Sequence, residues 1–236
     1  MRLVITPILL LAAAGCVVLR AHGGAAGAEA GVLATANLAR RVREHLALCA
    51  VSTGLAVAAA VPAGVAATRP ALRRLAPPLL FVANVGQSVP TIAVLALAFS
   101  VTGIGFRTAV IGLWAYSLLP VLRNTVAGLS GVDPAIIEAA RGMGMSPAQV
   151  LLRTELPLAW PVVVAGIRTA AVVNVGTAAL ATFVGAGGLG ALITVGLDNQ
   201  RDRILYTGAA LTALLALAVD WAVATLATLT ASNRRS

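Results

Sequence analysis

Six apolar runs, each about as long as a membrane-spanning helix, recur along this 236-residue chain. They cover approximately residues 3–20, 46–67, 78–101, 104–123, 158–184 and 204–229. An apolar helix of about 20 residues is long enough to cross the hydrocarbon core of a bilayer. We therefore expect an all-α membrane protein with about six transmembrane helices lying in the lipid bilayer.

Composition supports this expectation and excludes one enzymatic activity. Apolar residues make up 59% of the chain and charged residues only 11%, and the mean hydropathy is +0.95. All 17 basic residues are arginine, so the chain has no lysine that could bind nucleotide phosphates as a P-loop does. We expect no ATPase site of that type on this chain.

The first apolar run allows two interpretations. Residues 1–20 could be a cleaved signal, because Ala14-Gly15-Cys16 resembles the end of a lipoprotein signal. However, the apolar run continues beyond Cys16 with Val17 and Val18, where a mature lipoprotein would become polar. This continuation favours an uncleaved transmembrane helix.

The arginines between the apolar runs predict the orientation of the chain. Arg69, Arg73 and Arg74 follow the second run, and Arg141 and Arg153 lie between the fourth and fifth runs. Such residues concentrate on the cytoplasmic side. With Arg234 and Arg235 at the tail and an even number of spans, both termini are expected inside. Residues 40–43 (Arg-Arg-Val-Arg) fall on the outside, and we interpret them as the polar face of an interfacial helix entering the second span.

Residues 130–157 form a polar loop for which the sequence predicts two short helices. Asp133-Pro134 predicts an N-cap and first helical residue, so a helix should run from Pro134 to about Met143 and end at Gly142 and Gly144. Residues 146–149 (Ser-Pro-Ala-Gln) form a capping box that begins a second helix. That helix should stop near Leu156, because Pro157 has no amide proton.

Polar side chains inside the third apolar run predict a transport path. Asn84, Gln87, Ser88 and Thr91 are spaced to share one helical face, and Pro90 beside them should kink the helix. Polar groups inside a membrane are unfavourable unless they meet water or each other. The alternative is that they hold neighbouring helices together. In the fifth run, Asn174 and Thr177 repeat the pattern on a smaller scale.

Two opposite charges lie at matching depth in the last two runs. Arg168 and Asp220 each stand about nine residues from the predicted cytoplasmic end of their span. An isolated charge at that depth would be strongly unfavourable. We therefore predict a buried structural ion pair between them.

The chain shows no convincing catalytic or metal-binding pattern. Residues 185–190 (Gly-Ala-Gly-Gly-Leu-Gly) match the dinucleotide fingerprint, but that motif works between a strand and a helix and here follows an apolar span. We expect an external turn leading into the short apolar stretch 191–197. His22, His45, Cys16 and Cys49 form no cluster, so we expect no catalytic and no metal site. A helix-turn-helix regulator is an alternative for the polar loop, but its second helix offers few base-reading side chains, and we expect no nucleic acid partner.

Several segments together resemble a known family of permeases. The loop contains Glu138-Ala139-Ala140, then Gly144, then Leu156-Pro157, which resembles the cytoplasmic loop by which ABC importer permeases engage their ATPase; Thr154 departs mildly from its usual apolar residue. Together with other segments of the chain, these motifs look like the permease subunit of glycine betaine, carnitine and choline importers over residues 46–220. The motifs and segments together comprise residues 84–90, 118–125, 132–134, 138–145, 155–158, 166–170 and 184–190.

The resemblance implies a type I ABC importer transmembrane domain at residues 46–229, preceded by a first span and interfacial segment at 1–45 and followed by a cytoplasmic tail at 230–236. It implies a multi-pass protein of the bacterial inner membrane that transports compatible solutes such as glycine betaine, carnitine, choline or proline. The implied partners are a second permease subunit, an extracytoplasmic solute-binding protein and a cytoplasmic ATPase dimer. ATP and Mg would be bound on the ATPase, with no cofactor on this chain. The alternative is a type I permease for another small solute, such as an amino acid.

Overall fold

The computed structural model describes residues 2–23 and 27–232, and the described part of the chain is almost entirely helical. The helices are α1 Arg2–His22, α2 Ala28–Val32, α3 Thr35–Thr68, α4 Ala76–Ser88, α5 Thr91–Thr102, α6 Phe106–Ser130, α7 Pro134–Gly142, α8 Pro147–Val150, α9 Leu156–Thr177, α10 Gly190–Asp198 and α11 Asp202–Ser232. Short 3-10 helices cover Arg73–Leu75 and Ala178–Val184, and a π turn covers Leu151–Glu155. The tail arginines Arg234 and Arg235 lie outside the described residues.

Five of these helical segments are long and apolar enough to cross a membrane unbroken. The expected continuous helix over residues 78–101 is wrong. This stretch consists of α4 and α5, which meet at an angle of 97°. With the bent pair counted as one span, the chain has six, which agrees with the number expected from the sequence.

Proline chemistry explains why the third span breaks. Val89, the residue before Pro90, has φ −76° and ψ 130°, the extended conformation that a following proline ring imposes. Pro90 then caps α5, since its carbonyl accepts the amides of Ala93 and Val94 at 2.9 and 3.2 Å. The expected kink is therefore a complete stop and restart of the helix.

Contacts at the two ends of the bundle show that the broken span still crosses it. At one end, Ala76 and Pro77 at the start of α4 share a cavity with residues of the polar loop. At the other end, the amide of Gly105, just after α5, donates to the Val184 carbonyl at 2.8 Å. The pair α4–α5 thus runs from the polar loop to the opposite end of the molecule.

The start of the first helix and the end of the last helix lie at one end of the bundle. Arg203 at the start of α11 donates to the carbonyl of Gly23 just after α1, so these two helix ends meet. Thr6 of α1 and Thr228 of α11 line one cavity near the other helix ends, together with Arg168 of α9. Because α9 begins at the polar loop, the start of α1 and the end of α11 lie toward the loop end, which agrees with the expected orientation.

The centre of the bundle consists of α3, α6 and α9, which pack closely through glycine. A Cβ on Gly166 of α9 would lie 2.7 Å from the Pro120 carbonyl oxygen of α6, and a Cβ on Gly64 of α3 would lie 2.7 Å from Thr125. Small residues let membrane helices approach in this way. In contrast, α4 has no buried residue, so it lies on the outside of the single chain.

The expected interfacial segment and the second span form one continuous helix. Helix α3 begins at Thr35 and continues without a break to Thr68. Residues 40–43 therefore lie on the first turns of this long helix, and the expected domain boundary at residues 45–46 falls inside it.

Candidate functional site

The first helix of the polar loop has the ends that the sequence predicts. The Asp133 carboxylate accepts the amide of Ala135 at 2.9 Å, and the helix α7 ends at Gly142. Gly144 then has φ +81°, a left-handed conformation that glycine adopts without strain. At Ser146 both bonds of the predicted capping box are present. These local interactions hold α7 and α8 as two separate short helices.

The second helix does not stop at Leu156, so this expectation is wrong. The chain continues helically from Pro147 through α9, with the π turn Leu151–Glu155 in between. In that turn the amide of Leu156 bonds the carbonyl of Leu151, five residues back. The wider turn accommodates Pro157, whose ring would clash with the preceding turn of a regular α-helix. The second loop helix is therefore rigidly continuous with a membrane span.

The loop presents an apolar surface to the outside of the chain. Ala140 and Val150 are buried, and Ile137 and Leu151 pack against the core cluster at the loop end of the bundle. Ile136 is 44% exposed, Met143 71% and Leu152 64%. Glu138, Ala139 and Gly144 are exposed beside them. Exposed apolar residues surrounded by polar ones are typical of a surface that binds a partner.

An ion pair that the sequence interpretation missed joins the loop to the bundle. Glu155, at the end of the π turn, is buried and pairs with Arg69 at the end of α3. Arg69 also donates to the Val65 carbonyl at 3.3 Å. The signal was present in the sequence, because a carboxylate next to an apolar span requires a cationic partner.

The four polar residues of the third span do not share one helical face. Asn84, Gln87 and Ser88 lie on α4, whereas Thr91 begins α5 beyond the bend. Asn84 and Ser88 are exposed, while Gln87 is half-buried and donates to the Tyr116 carbonyl of α6 at 2.9 Å. The path interpretation thus fits Asn84 and Ser88, and the helix-contact alternative fits Gln87.

Asn174 and Thr177 of α9 lie in different surroundings. Asn174 is fully buried, and its Nδ2 atom donates to Ser52 and Thr53 of α3 at 2.9 Å each. Thr177 is half-buried and bonds the Val173 carbonyl of its own helix. In this conformation Asn174 joins two helices and lines no open path.

Arg168 and Asp220 form an ion pair between α9 and α11. Two hydrogen bonds join the guanidinium and the carboxylate. The predicted burial is wrong for the single chain: the side chains are 45% and 35% exposed. Cavities of about 790 and 580 Å³ flank the pair, and both are lined mainly by apolar residues.

At the opposite end of the bundle, two side chains of α3 hold the glycine-rich turn. The Glu44 carboxylate accepts the Gly188 amide at 3.0 Å. His45 is fully buried; its Nε2 atom donates to the Val175 carbonyl at 2.9 Å, and its Nδ1 atom accepts the Leu189 amide at 3.2 Å. The sequence predicted the turn at residues 185–190 and the short helix after it, which is α10. It gave no role to His45, because no local pattern connects positions 144 residues apart.

Gly187 and Gly188 are required for this arrangement. A Cβ on Gly187 would lie 2.6 Å from the Glu44 carboxylate, and both glycines have positive φ values, +76° and +78°. The turn thus fits closely around two side chains of α3.

A bundle of six spans with a two-helix loop projecting at one end is the architecture of a membrane permease. Residues 60–230 match the family described as binding-protein-dependent transport system inner membrane component, and the chain belongs to this family. It is a multi-pass protein of the bacterial inner membrane with the transmembrane fold of a type I ABC importer.

Characterised relatives cover most of the chain. The choline transport system permease protein OpuBB of Bacillus subtilis (strain 168) is 38% identical over 80% of this chain and 86% of its own length. The osmoprotectant import permease protein OsmY of Salmonella typhimurium is 44% identical over 75% of both chains. The carnitine transport permease protein OpuCD of Listeria monocytogenes is 42% identical over 75% of this chain and 78% of its own.

Solved structures show the same fold. An inward-facing conformation of the MetNI methionine ABC transporter matches with a TM-score of 0.71 and 27% identity, over 81% of this chain and 95% of the other. An amino acid ABC transporter with histidines matches with a TM-score of 0.65 at 17% identity, over 89% and 99% of the two chains.

Proposed function

We propose that this chain is the permease subunit of an ATP-driven importer for osmoprotectants such as glycine betaine, carnitine, choline or proline. The observation that carries the proposal is the similarity, at 38–44% identity, to permeases named for choline, carnitine and osmoprotectant import. The exposed loop surface supports the same assignment, since a permease of this kind needs a rigid surface that binds its ATPase.

The loop surface defined by Ile136, Glu138, Ala139, Met143 and Gly144 would receive a separate cytoplasmic ATPase. ATP and Mg would be bound by that ATPase, in keeping with the absence of lysine from this chain. Because the second loop helix continues into α9, closure of an ATPase dimer would move α9 together with the loop. Such movement would open the path alternately to the two sides of the membrane.

The proposed assembly includes a second permease subunit and an extracytoplasmic solute-binding protein. This chain would supply a path with weak affinity, leaving tight binding to that protein. It contains four Phe, three Trp and two Tyr, which form no cluster along the sequence of the kind that encloses a quaternary ammonium. Asn84 and Ser88, exposed on α4, would contact the moving solute.

A permease for an amino acid is the second candidate. The structural similarity to the methionine transporter at 27% identity favours it. The relatives at 38–44% identity outweigh that similarity, because they agree more closely with this chain in sequence.

Uptake into cells that lack their own osmoprotectant importers tests the proposal. The chain would be expressed with the ATPase and the solute-binding protein of its proposed assembly. Uptake of radiolabelled glycine betaine, carnitine, choline, proline and methionine would then be compared at high external salt. We expect uptake of at least one osmoprotectant and none of methionine. Uptake of methionine alone would establish the second candidate instead.

A further inference from the structure

A cavity of about 450 Å³ lies between three parts of the chain. They are the polar loop at residues 130–157, called the docking loop from here on, the connector at residues 69–75 after α3, and the end of α6. The walls of the cavity come from parts of the chain that meet at the loop end of the bundle. Thr68 ends α3, Ala76 begins α4 and Ser130 ends α6, and all three line it. The cavity therefore lies at the ends of three membrane spans, at the level where lipid headgroups lie.

The charged side chains in its lining are unbalanced. Arg69, Arg73 and Arg141 line the cavity, and the carboxylate among the lining residues is Glu155. Glu155 pairs with Arg69. Within residues 2–23 and 27–232, neither Arg73 nor Arg141 has an ion pair or a side-chain hydrogen bond. Two positive charges thus face one cavity, and neither has a charged partner among the described residues.

Apart from Thr68 and Ser130, the uncharged residues of the lining are apolar, which favours a ligand with an apolar part. Val126, Leu129, Val132 and Ile137 form part of the wall. A small inorganic anion would leave such a wall exposed to water, whereas a phospholipid would cover it with its glycerol and upper acyl carbons. Basic pockets between membrane helices on the cytoplasmic side are suited to anionic lipid headgroups.

We propose that this cavity binds the headgroup phosphate of an anionic phospholipid between Arg73 and Arg141. The arginine fork matches phosphate oxygens in geometry and charge. Arg73 belongs to the connector after α3 and Arg141 to α7 of the docking loop. A lipid bound there bridges two segments that otherwise meet through the Arg69–Glu155 pair. The proposal does not depend on which solute is transported.

Native mass spectrometry of the full chain, released from bilayers of phosphatidylglycerol and phosphatidylcholine, tests this site. The test variant is Arg73→Gln/Arg141→Gln. The matched control is Arg74→Gln/Arg153→Gln, which removes the same charge from exposed arginines that do not line the cavity. We expect the wild type and the control to retain phosphatidylglycerol, and the test variant to retain it roughly thirtyfold less, since each basic residue that contacts an anionic headgroup contributes about 1 kcal/mol.

Further measurements distinguish a bound lipid from free phosphate and from an acidic surface of the ATPase. If inorganic phosphate displaces the lipid and is itself retained, the site is one for free anions. If phosphatidylglycerol is lost whenever the ATPase is bound, the arginines serve an acidic surface of that partner. Equal retention by the test and control variants would also overturn the proposal. Should the test variant fail to fold, photoactivatable phosphatidylglycerol on the wild type decides: labelling of the cavity lining supports the site, and labelling elsewhere alone refutes it.

Discussion

Single buried polar side chains join the membrane-spanning helices of this permease. His45 and Asn174 are both fully buried and both connect α3 to α9 or to the turn that follows it. Asn174 bonds two hydroxyls of α3, and its own Oδ1 atom has no hydrogen-bond partner among the described residues. His45 satisfies two backbone groups that would otherwise be unpaired in a medium without water. His45 accomplishes this with both ring nitrogens, which requires one neutral tautomer with the proton on Nε2.

The first prediction concerns His45. His45→Ala leaves the Val175 carbonyl and the Leu189 amide without a partner, and each unsatisfied buried group costs about 1–3 kcal/mol. We expect a lower unfolding temperature of the purified chain in detergent. His22→Ala is the control, because His22 is exposed and its Nδ1 atom bonds the Val18 carbonyl of its own helix. An equal loss in both variants would contradict the role of His45.

The second prediction concerns Arg168 and Asp220. Each single alanine variant leaves the other charge unpaired, so the double variant should recover part of the lost stability. Interacting residues show coupling of about 0.5–3 kcal/mol in such a cycle. Thermal unfolding of the four proteins measures it. Losses that simply add would mean that the two side chains do not stabilise each other, and Arg168 would become a candidate for the transport path.

At the scale of elements, two prolines with similar sequence signals have different outcomes. Pro90 ends one helix and begins another at 97°, whereas Pro157 lies in a helix that continues. Local signals such as Asp133 and the Ser146 capping box were sufficient to predict helix starts, because their partners are two or three residues away. Whether a proline breaks or is accommodated depends on packing by distant helices, which residue spacing does not encode.

The third prediction compares two glycines of the docking loop. Gly144 has φ +81°, so Gly144→Ala should cost about 1–2 kcal/mol of backbone strain. Gly142 ends α7 with no atom within 4 Å of an added Cβ, so Gly142→Ala should be neutral or slightly stabilising. We expect weaker association with the ATPase in co-purification for the first variant only. Unchanged association in both would count against the loop as the docking surface.

The fourth prediction concerns the exposed polar residues of α4. In a chain with Cys16 and Cys49 replaced by alanine, cysteines at Asn84 and Ser88 should react with a membrane-impermeant polar thiol reagent. A cysteine at Gln87 should react more slowly, because that position is half-buried against α6.

The control for this labelling is Val82, which is 68% exposed and lies two residues from Asn84, on a different side of α4. Exposure to lipid alone should leave a cysteine there unreactive. Equal labelling at positions 82 and 84 would show that the reagent does not report a water-filled path.

Across the whole molecule, α3 and α9 are joined near both ends of α9. His45 and Ser52 of α3 bond Val175 and Asn174 near the glycine-turn end of α9, and Arg69 pairs with Glu155 at the loop end. The number of spans and the shared side of the termini could be predicted from apolar runs and arginines. These links could not, because each joins residues more than 80 positions apart.

Such a connected pair of helices would transmit movement of the docking loop through the membrane as one rigid unit. The Arg69–Glu155 pair is the point at which that transmission can be tested. Glu155→Gln keeps the shape of the side chain but removes its charge, which weakens the contact with Arg69. Because Arg69 is 31% exposed, we expect a cost of about 1–3 kcal/mol, below the roughly 3–5 kcal/mol of breaking a fully buried pair.

The fifth prediction is therefore that loss of the Arg69–Glu155 pair reduces transport without reducing docking of the ATPase. Glu155→Gln should leave association with the ATPase close to wild type, since Glu155 is buried away from the loop surface, and should reduce solute uptake several-fold. Glu138→Gln, an exposed change on that surface, should instead weaken association. The charge exchange Arg69→Glu/Glu155→Arg should recover part of the uptake. If Glu155→Gln lowers association and uptake in the same proportion, the ion pair maintains the shape of the loop and does not couple it to α3.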